Sequence, residues 1–202
     1  MPTPQKGGGR WSRRVVRGRQ VTGSVSAMSR LTFAEDTILH PLVAAAVERH
    51  GIVTRIIACD PALADTAAFC EAYEVEPDDS ANTIVVIGKG TDPAPLAACL
   101  VLATMRLDVN GSVRRRFGTK KASFASQDLA CAHTGMEFGG VTVVGLPDGM
   151  ALWIDVAVMT RSEIVVGGGN RISKLLLVPA EFLKLPGAEI VEGLAVAPSS
   201  SA

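Results

Sequence analysis

Two glycine clusters, a basic run and three histidines are the residues whose types and spacing could do chemistry in this chain. Gly139 and Gly140, and again Gly167, Gly168 and Gly169, would let the backbone approach a ligand closely and aim N–H groups at an anion. That anion could be a phosphate or the oxyanion of an ester under attack. The same pattern also reads as two tight turns. Neither cluster fits a dinucleotide fingerprint or a phosphate-binding loop, and Gly88-Lys89-Gly90 is followed by Thr91-Asp92-Pro93, so the third glycine is absent. Arg114, Arg115, Arg116, Lys120 and Lys121 place five positive charges in eight residues with no acid between them. Such a run suits either contact with phosphates or a solvated helix end. His40, His50 and His133 have no Ser, Cys or carboxylate partner at a motif spacing, so no Ser–His–Asp triad can be read, and no GxSxG occurs. His50 and His133 fall beside expected helix ends. Asp155 follows an apolar strand and reads as a turn or cap residue as easily as a functional carboxylate.

The four cysteines, Cys59, Cys70, Cys99 and Cys131, are far apart and form no CxxC pair, so neither a zinc site nor a disulfide framework is expected. Cys59, Cys70 and Cys99 sit in apolar runs and read as buried thiols, which fits a reducing, cytoplasmic location. No apolar run approaches the ~20 residues that span a bilayer, so no membrane partner is expected. The balanced formal charge hides an asymmetry: residues 1–30 carry seven basic side chains and no acid, leaving thirteen basic against twenty acidic residues in the rest. The remainder should not bind nucleic acid by bulk charge, and any RNA contact must be local. The Gly-, Ser- and Arg-rich stretch 1–30 reads as a disordered tail, either an RNA-binding arm or an extension ahead of a start at Met28.

The elements that must position these residues become regular from His40. Pro41 suits the first position of a helix that Gly51 ends, with Leu42, Val43, Ala46 and Val47 on one stripe. Residues 52–59 read as a strand. Asp65 or Thr66 can cap a second helix with Phe69, Ala72 and Tyr73 on one face. Residues 83–87 and 98–105 are strand-like runs joined by a Gly/Pro-rich turn at 88–95. Asp108 and Ser126 can cap two more helices, the second ended by Gly135. Short strands are then expected at 141–144, 151–156, 163–166, 174–178 and 189–191, with a helical turn from Pro179. The pattern predicts a mixed α/β (α+β) domain over residues 31–197, with a mixed sheet and flanking helices.

Several segments in this order resemble the YbaK family of trans-editing proteins and the editing domain of bacterial prolyl-tRNA synthetases. They are the helix and strand over 40–59, the Thr-Ala helix at 65–75 and the strand Ala81-Asn82-Thr83-Ile84-Val85-Val86. Leu107-Asp108-Val109-Asn110 follows, then Lys120-Lys121-Ala122-Ser123-Phe124-Ala125. The most telling piece is Thr134-Gly135-Met136-Glu137-Phe138-Gly139-Gly140-Val141-Thr142, similar to the family's TG…GG turn. Trp153-Ile154-Asp155, the glycine loop at 166–170 and Leu177-Val178-Pro179-Ala180-Glu181-Phe182-Leu183 complete the series, which spans ~155 residues.

The resemblance implies a curled, largely antiparallel mixed sheet around a pocket, with helices outside. It also implies hydrolysis of mischarged aminoacyl-tRNA, most readily of proline type, without a metal or other cofactor. Asn82, Gly139 and Gly140 would then be the catalytic residues. Thr83, Thr142, Val143, Gly167, Gly168 and Gly169 would bind the substrate. Arg114, Arg115, Arg116, Lys120 and Lys121 would meet the tRNA, and an aminoacyl-tRNA synthetase is a further expected partner. This chain departs from the family pattern at four of its positions. Asn82 stands where members usually carry a lysine, and Val143 where the GG turn usually ends in proline. Gly167 replaces a polar residue, and Lys174 aligns with an acidic one of some members. A binding module that holds an aminoacyl or nucleotide ligand without hydrolysing it is the alternative, and a changed ester or amide substrate a third reading.

Overall fold

A computed structural model describes residues 31–198; the basic segment 1–30, read above as an arm or an extension, lies outside them. After the short strand β1 (Phe33–Ala34), α1 (Pro41–His50) opens on the expected proline. Proline costs nothing there because the first N–H of a helix has no intrahelical partner. His40 caps the helix, its Nδ1 accepting from the Leu42 N–H at 3.4 Å, and Gly51 closes it in the left-handed conformation. Next come β2 (Thr54–Ala58) and α2 (Thr66–Tyr73). Then β3 (Ala81–Lys89), β4 (Leu96–Leu102) and β5 (Arg106–Leu107) lead to α3 (Arg114–Phe117). Asp108 caps the wide helical turn ahead of α3, accepting from the N–H groups of Gly111 and Ser112 at 2.9 and 2.8 Å. The strand β6 (Lys121–Phe124) precedes α4 (Gln127–Thr134), which Ser126 caps at the Leu129 N–H and Gly135 ends. The chain finishes with β7 (Ala151–Asp155), β8 (Ile164–Gly167), β9 (Ser173–Leu177), β10 (Ala188–Val191) and β11 (Ala195–Val196).

One sheet runs β1-β2-β9-β8 and is antiparallel throughout. The other runs β10-β7-β4-β3-β6, with parallel pairing only where β7 meets β4 and β10. A ribbon of β5 and β11 lies apart. Among the described residues one isolated backbone bridge, between Ser80 and Val165, links the two larger sheets. The result is the mixed, largely antiparallel, curled architecture expected from the sequence.

Strand alternation distributes the core. On β4, Ala98, Leu100 and Leu102 face the space between the sheets with Val43, Ile154 and Leu175. Ala97, Cys99 and Val101 face outward onto Val113, Trp153 and Leu194. α2 covers the outside of the other sheet, laying Phe69 on Ile57 and Leu176. Sheets buried on both faces explain why β4 and β9 read as continuous apolar runs rather than alternating ones.

The segment 141–144, expected as a strand, is not one. It is an apolar stretch because Val143 and Val144 are buried in the core between the sheets, not because it pairs. Its backbone bonds locally: the Gly140 N–H donates to Glu137 and the Thr142 N–H to the Met136 sulfur. A short buried run carries the same hydropathy whether or not it joins a ladder. Asp155 is settled as a structural clamp. Its carboxylate is buried and accepts from the Ala157 N–H at 2.9 Å and from the Ala195 N–H at 2.8 Å, tying the end of β7 to β11.

Candidate functional site

Beyond the Ser80–Val165 bridge, β3 and β8 part. On its β8-facing side β3 has no strand partner until the Ala125 N–H reaches the Val85 carbonyl and Phe124 pairs with Val86. The corresponding edge of β8 is met only at the bridge. A cleft of about 400 Å³ opens along this seam, between residues 82–85 of β3 and 165–167 of β8. Ala64, Asp65 and Thr66, which lead into α2, close one end, and the exposed rings of Phe124 and Phe138 flank the mouth. Unpaired strand edges carry N–H and C=O groups that seek partners, so such a seam is chemically suited to hold a polar ligand.

Asn82, Thr83, Gly139 and Gly167 line this cleft; Gly140, Thr142, Val143, Gly168 and Gly169 do not. Thr83 shares its strand face with Ala81 and Val85, the face turned into the space between the sheets. Its buried hydroxyl has no hydrogen-bond partner in the protein. Asn82 points to the other face and sits on the rim, where its Oδ1 accepts from the Thr66 hydroxyl at 2.6 Å. Its amide N–H groups remain as donors. The N–H of Gly139 is donated to no acceptor among the described residues.

The remaining glycines do different work from that expected. The Gly169 N–H donates to the Gly140 carbonyl at 2.8 Å and the Glu137 N–H to the Gly169 carbonyl at 3.0 Å. A side chain on Gly140 would collide with the backbone of Asn170, and one on Gly167 with the carbonyls of Gly140 and Val141. The N–H groups of Gly140, Gly168 and Gly169 are all taken by backbone carbonyls, so they are not available to an oxyanion. The two clusters let two backbones approach each other and form one buttress behind the cleft. Asn170 locks it, donating to the Ile38 carbonyl and accepting from Ser173 Oγ and the Ile172 N–H. Thr142 is fully buried outside the cleft lining, its hydroxyl also without a partner among the described residues. Val143 lines a separate depression of about 690 Å³ beside α1 and α4.

Sequence reasoning treated Lys174 only as a departure from a family pattern; the structure places it in the cleft. It is 6% exposed on β9, its Nζ donating to the Ala64 carbonyl at 2.6 Å and lying 5.4 Å from the centre of the Phe69 ring. Burial pushes its pKa below the ordinary lysine value. The neighbouring thiols of Cys59 and Cys70 are pushed up, again by burial first, and so supply no thiolate at neutral pH. Cys99, pushed up to about 12 by its apolar surroundings, belongs to the outer core away from the cleft. The signal for Lys174 is present in the sequence: one charged residue inside Ser-Lys-Leu-Leu-Leu, where charges are almost never buried unless partnered.

The basic run divides. Arg116 pairs with Glu189 and lies 4.9 Å over the Trp153 ring, so it braces the outer core. Arg114 donates to the Asn110 carbonyl of its own helix. Arg115, Lys120 and Lys121 are exposed. Lys121 opens β6 and Phe124, at the cleft mouth, ends it, a separation of roughly 10 Å at strand rise. Among the described residues no group of three His, Cys, Asp or Glu side chains is placed to hold a metal ion, and no helix is long and apolar enough to cross a membrane.

An α+β domain whose two larger sheets part along one seam, with a partnerless hydroxyl and a buried amine lining the gap, presents a candidate ligand cleft. Residues 60–185 match the family model of the aminoacyl-tRNA editing domain, and the chain belongs to that family. Solved structures share the fold. A hypothetical protein has a TM-score of 0.68 at 21% identity, over 77% of this chain and 99% of its own. A protein described as a proposed trans-editing enzyme for prolyl-tRNA synthetase has 0.65 at 22%, over 76% and 97%. A scaffold used for computational epitope grafting has 0.64 at 24%, over 75% and 94%. At these identities the likeness is one of fold.

Proposed function

We propose that this protein hydrolyses the ester of a mischarged aminoacyl-tRNA in the cleft between β3 and β8. The observation that carries the reading is the buried, partnerless hydroxyl of Thr83 in the cleft of an editing-family domain. A buried hydroxyl without a bond costs about 1–3 kcal/mol, a cost that a ligand's polar atom would remove. The terminal adenosine would lie at the mouth between Phe124 and Phe138, since unpaired bases stack on aromatic rings. The acyl group would reach inward past Asn82. Water attacks the ester carbonyl carbon, the bond to the ribose oxygen breaks, that oxygen takes a proton, and a free amino acid and tRNA leave. The Gly139 N–H and the Asn82 amide are the neutral donors available to the developing oxyanion. None of the three histidines lines the cleft, so water is positioned by the cleft polar groups or by the ribose hydroxyl of the tRNA itself. Arg115, Lys120 and Lys121 would meet phosphates beside the acceptor end. The likeness to the proposed trans-editing enzyme favours proline-type tRNA, with a synthetase as partner.

The test is a deacylation assay with mischarged proline-type tRNAs, beginning with alanyl- and cysteinyl-tRNA, beside Asn82→Ala and Asn82→Lys variants. Turnover by the wild type and its loss in Asn82→Ala supports the reading. Full activity in Asn82→Ala removes Asn82 from the site. A second reading, a binding module without turnover, is favoured by the engagement of the Asn82 oxygen with Thr66 and the absence of a cation at that position. Turnover that appears only in Asn82→Lys would support it.

A further inference from the structure

Among the described residues Lys174 is a buried amine that forms no ion pair with a carboxylate. Its one hydrogen bond, to the Ala64 carbonyl, uses one of three ammonium protons. The groups that face it are the thiols of Cys59 and Cys70, the ring of Phe69, the carboxylate of Asp65 and the guanidinium of Arg171. Asp65 acts on it only from a distance and forms no ion pair with it: its side chain is 69% exposed and lies 3.7 Å from Arg171, which in turn donates twice to the Pro61 carbonyl. Lys174 and Asn82 come from different sheets, yet both bond the same short segment: Lys174 to Ala64 and Asn82 to Thr66. Asn82 holds the half-buried rim, while Lys174, nearly sealed from solvent, holds the floor. On the deacylase reading a tRNA end would stay at the rim, so the deepest part of the ligand would be the acyl side chain.

We infer that Lys174 reads that side chain and that the cleft selects acyl groups ending in a carboxylate, the aspartyl and glutamyl class, over neutral and cationic ones. The inference rests on the deacylase reading for the identity of the ligand, and on the geometry of Lys174 for its charge. A ligand carboxylate would take the two free ammonium protons and supply the counter-charge that the fold withholds. A lysyl or arginyl side chain would instead bring a second cation to a buried one. Burial of the amine adds to the argument, since its charged form is the one the empty cleft disfavours.

The experiment measures binding by calorimetry of adenosine analogues carrying a 3′-amide-linked glutamyl, glutaminyl, alanyl or lysyl group, to wild type and to Lys174→Met. The wild type should prefer the glutamyl over the glutaminyl analogue by about tenfold or more, as for a buried bond between two charged partners, and reject the lysyl one. Lys174→Met should bring the glutamyl-to-glutaminyl ratio close to one. Equal binding of the two by the wild type, a ratio that survives in Lys174→Met, or no binding of any analogue overturns the inference. The wild-type ratio needs no variant, so a misfolded Lys174→Met leaves the test intact. Parallel deacylation of proline-type tRNA charged with glutamate or alanine separates the two claims. Hydrolysis without side-chain preference keeps the deacylase and sinks the role of Lys174, whereas selective binding without hydrolysis does the reverse.

Discussion

Replacing Thr83 by valine removes one oxygen from the cleft and leaves the shape of the side chain nearly unchanged. That oxygen is buried and has no hydrogen-bond partner among the described residues. Its removal relieves a desolvation cost of about 1–3 kcal/mol, so Thr83→Val should be more stable than the wild type. At about 2–4 °C per kcal/mol for a domain of this size, the melting temperature should rise by several degrees. Activity should move the opposite way, because a neutral hydrogen bond to the substrate is worth about 0.5–1.5 kcal/mol, a loss of roughly two- to twelvefold in kcat/KM. Thr142 provides the control, since its hydroxyl is also buried and partnerless but the residue does not line the cleft. Thr142→Val should gain the same stability and keep its activity. Differential scanning calorimetry and single-turnover deacylation measure both quantities. If Thr83→Val is destabilised, or if Thr142→Val loses as much activity as Thr83→Val, the assignment of the cleft is wrong.

Further outcomes follow from the same geometry. Gly140→Ala should lower the unfolding free energy by at least ~2 kcal/mol in a urea titration, because its new methyl meets the Asn170 backbone, which cannot rotate away. Asp155→Ala strands two backbone N–H groups, from Ala157 and Ala195, and should cost about 2–6 kcal/mol in the same titration. Lys120→Glu with Lys121→Glu should weaken tRNA binding and flatten its salt dependence by ~0.7–0.9 in log–log slope per lost phosphate contact. Arg116→Ala should leave that slope alone and lower stability instead. For Lys174 the sign is fixed by burial. Its folded pKa lies below the ordinary one, so burying the amine penalises the fold wherever the unfolded lysine is charged, and the penalty fades as pH rises toward the ordinary lysine range. Lys174→Met should therefore exceed the wild type in stability most clearly at neutral pH, with the gap narrowing in alkali; a constant gap would count against the buried-charge account.

The stability and selectivity arguments meet at the seam. Two unpaired strand edges, a hydroxyl without a protein partner and a buried amine without a close carboxylate are each unfavourable, and natural proteins tolerate such features chiefly where a ligand compensates them. The buttress of Gly140, Gly167 and Asn170 is rigid for the complementary reason: its bonds are satisfied internally, so it can hold Gly139 in place while the cleft stays open.

The sequence by itself determined the elements whose reasons are local. Pro41 with Gly51, Asp108, and Ser126 with Gly135 fixed helix ends, because a cap bonds within three or four residues of itself. The apolar runs of β3, β4, β7 and β9 were legible as strands, and the ordered series of family-like segments pointed to the editing fold. The glycines were legible as sites of close backbone approach, but what approaches them was not. Only the tertiary structure brought residues 139–140 and 167–170 against each other and turned three of their N–H groups away from any ligand. It also split the basic run, sending Arg116 onto Trp153 and leaving Arg115, Lys120 and Lys121 in solvent. Most of all, it placed Lys174 and Asn82, ninety-two positions apart, on one three-residue segment at the start of α2. Pairing between strands distant in the chain depends on which edges meet, and no local pattern encodes where β3 and β8 touch at Ser80 and then separate.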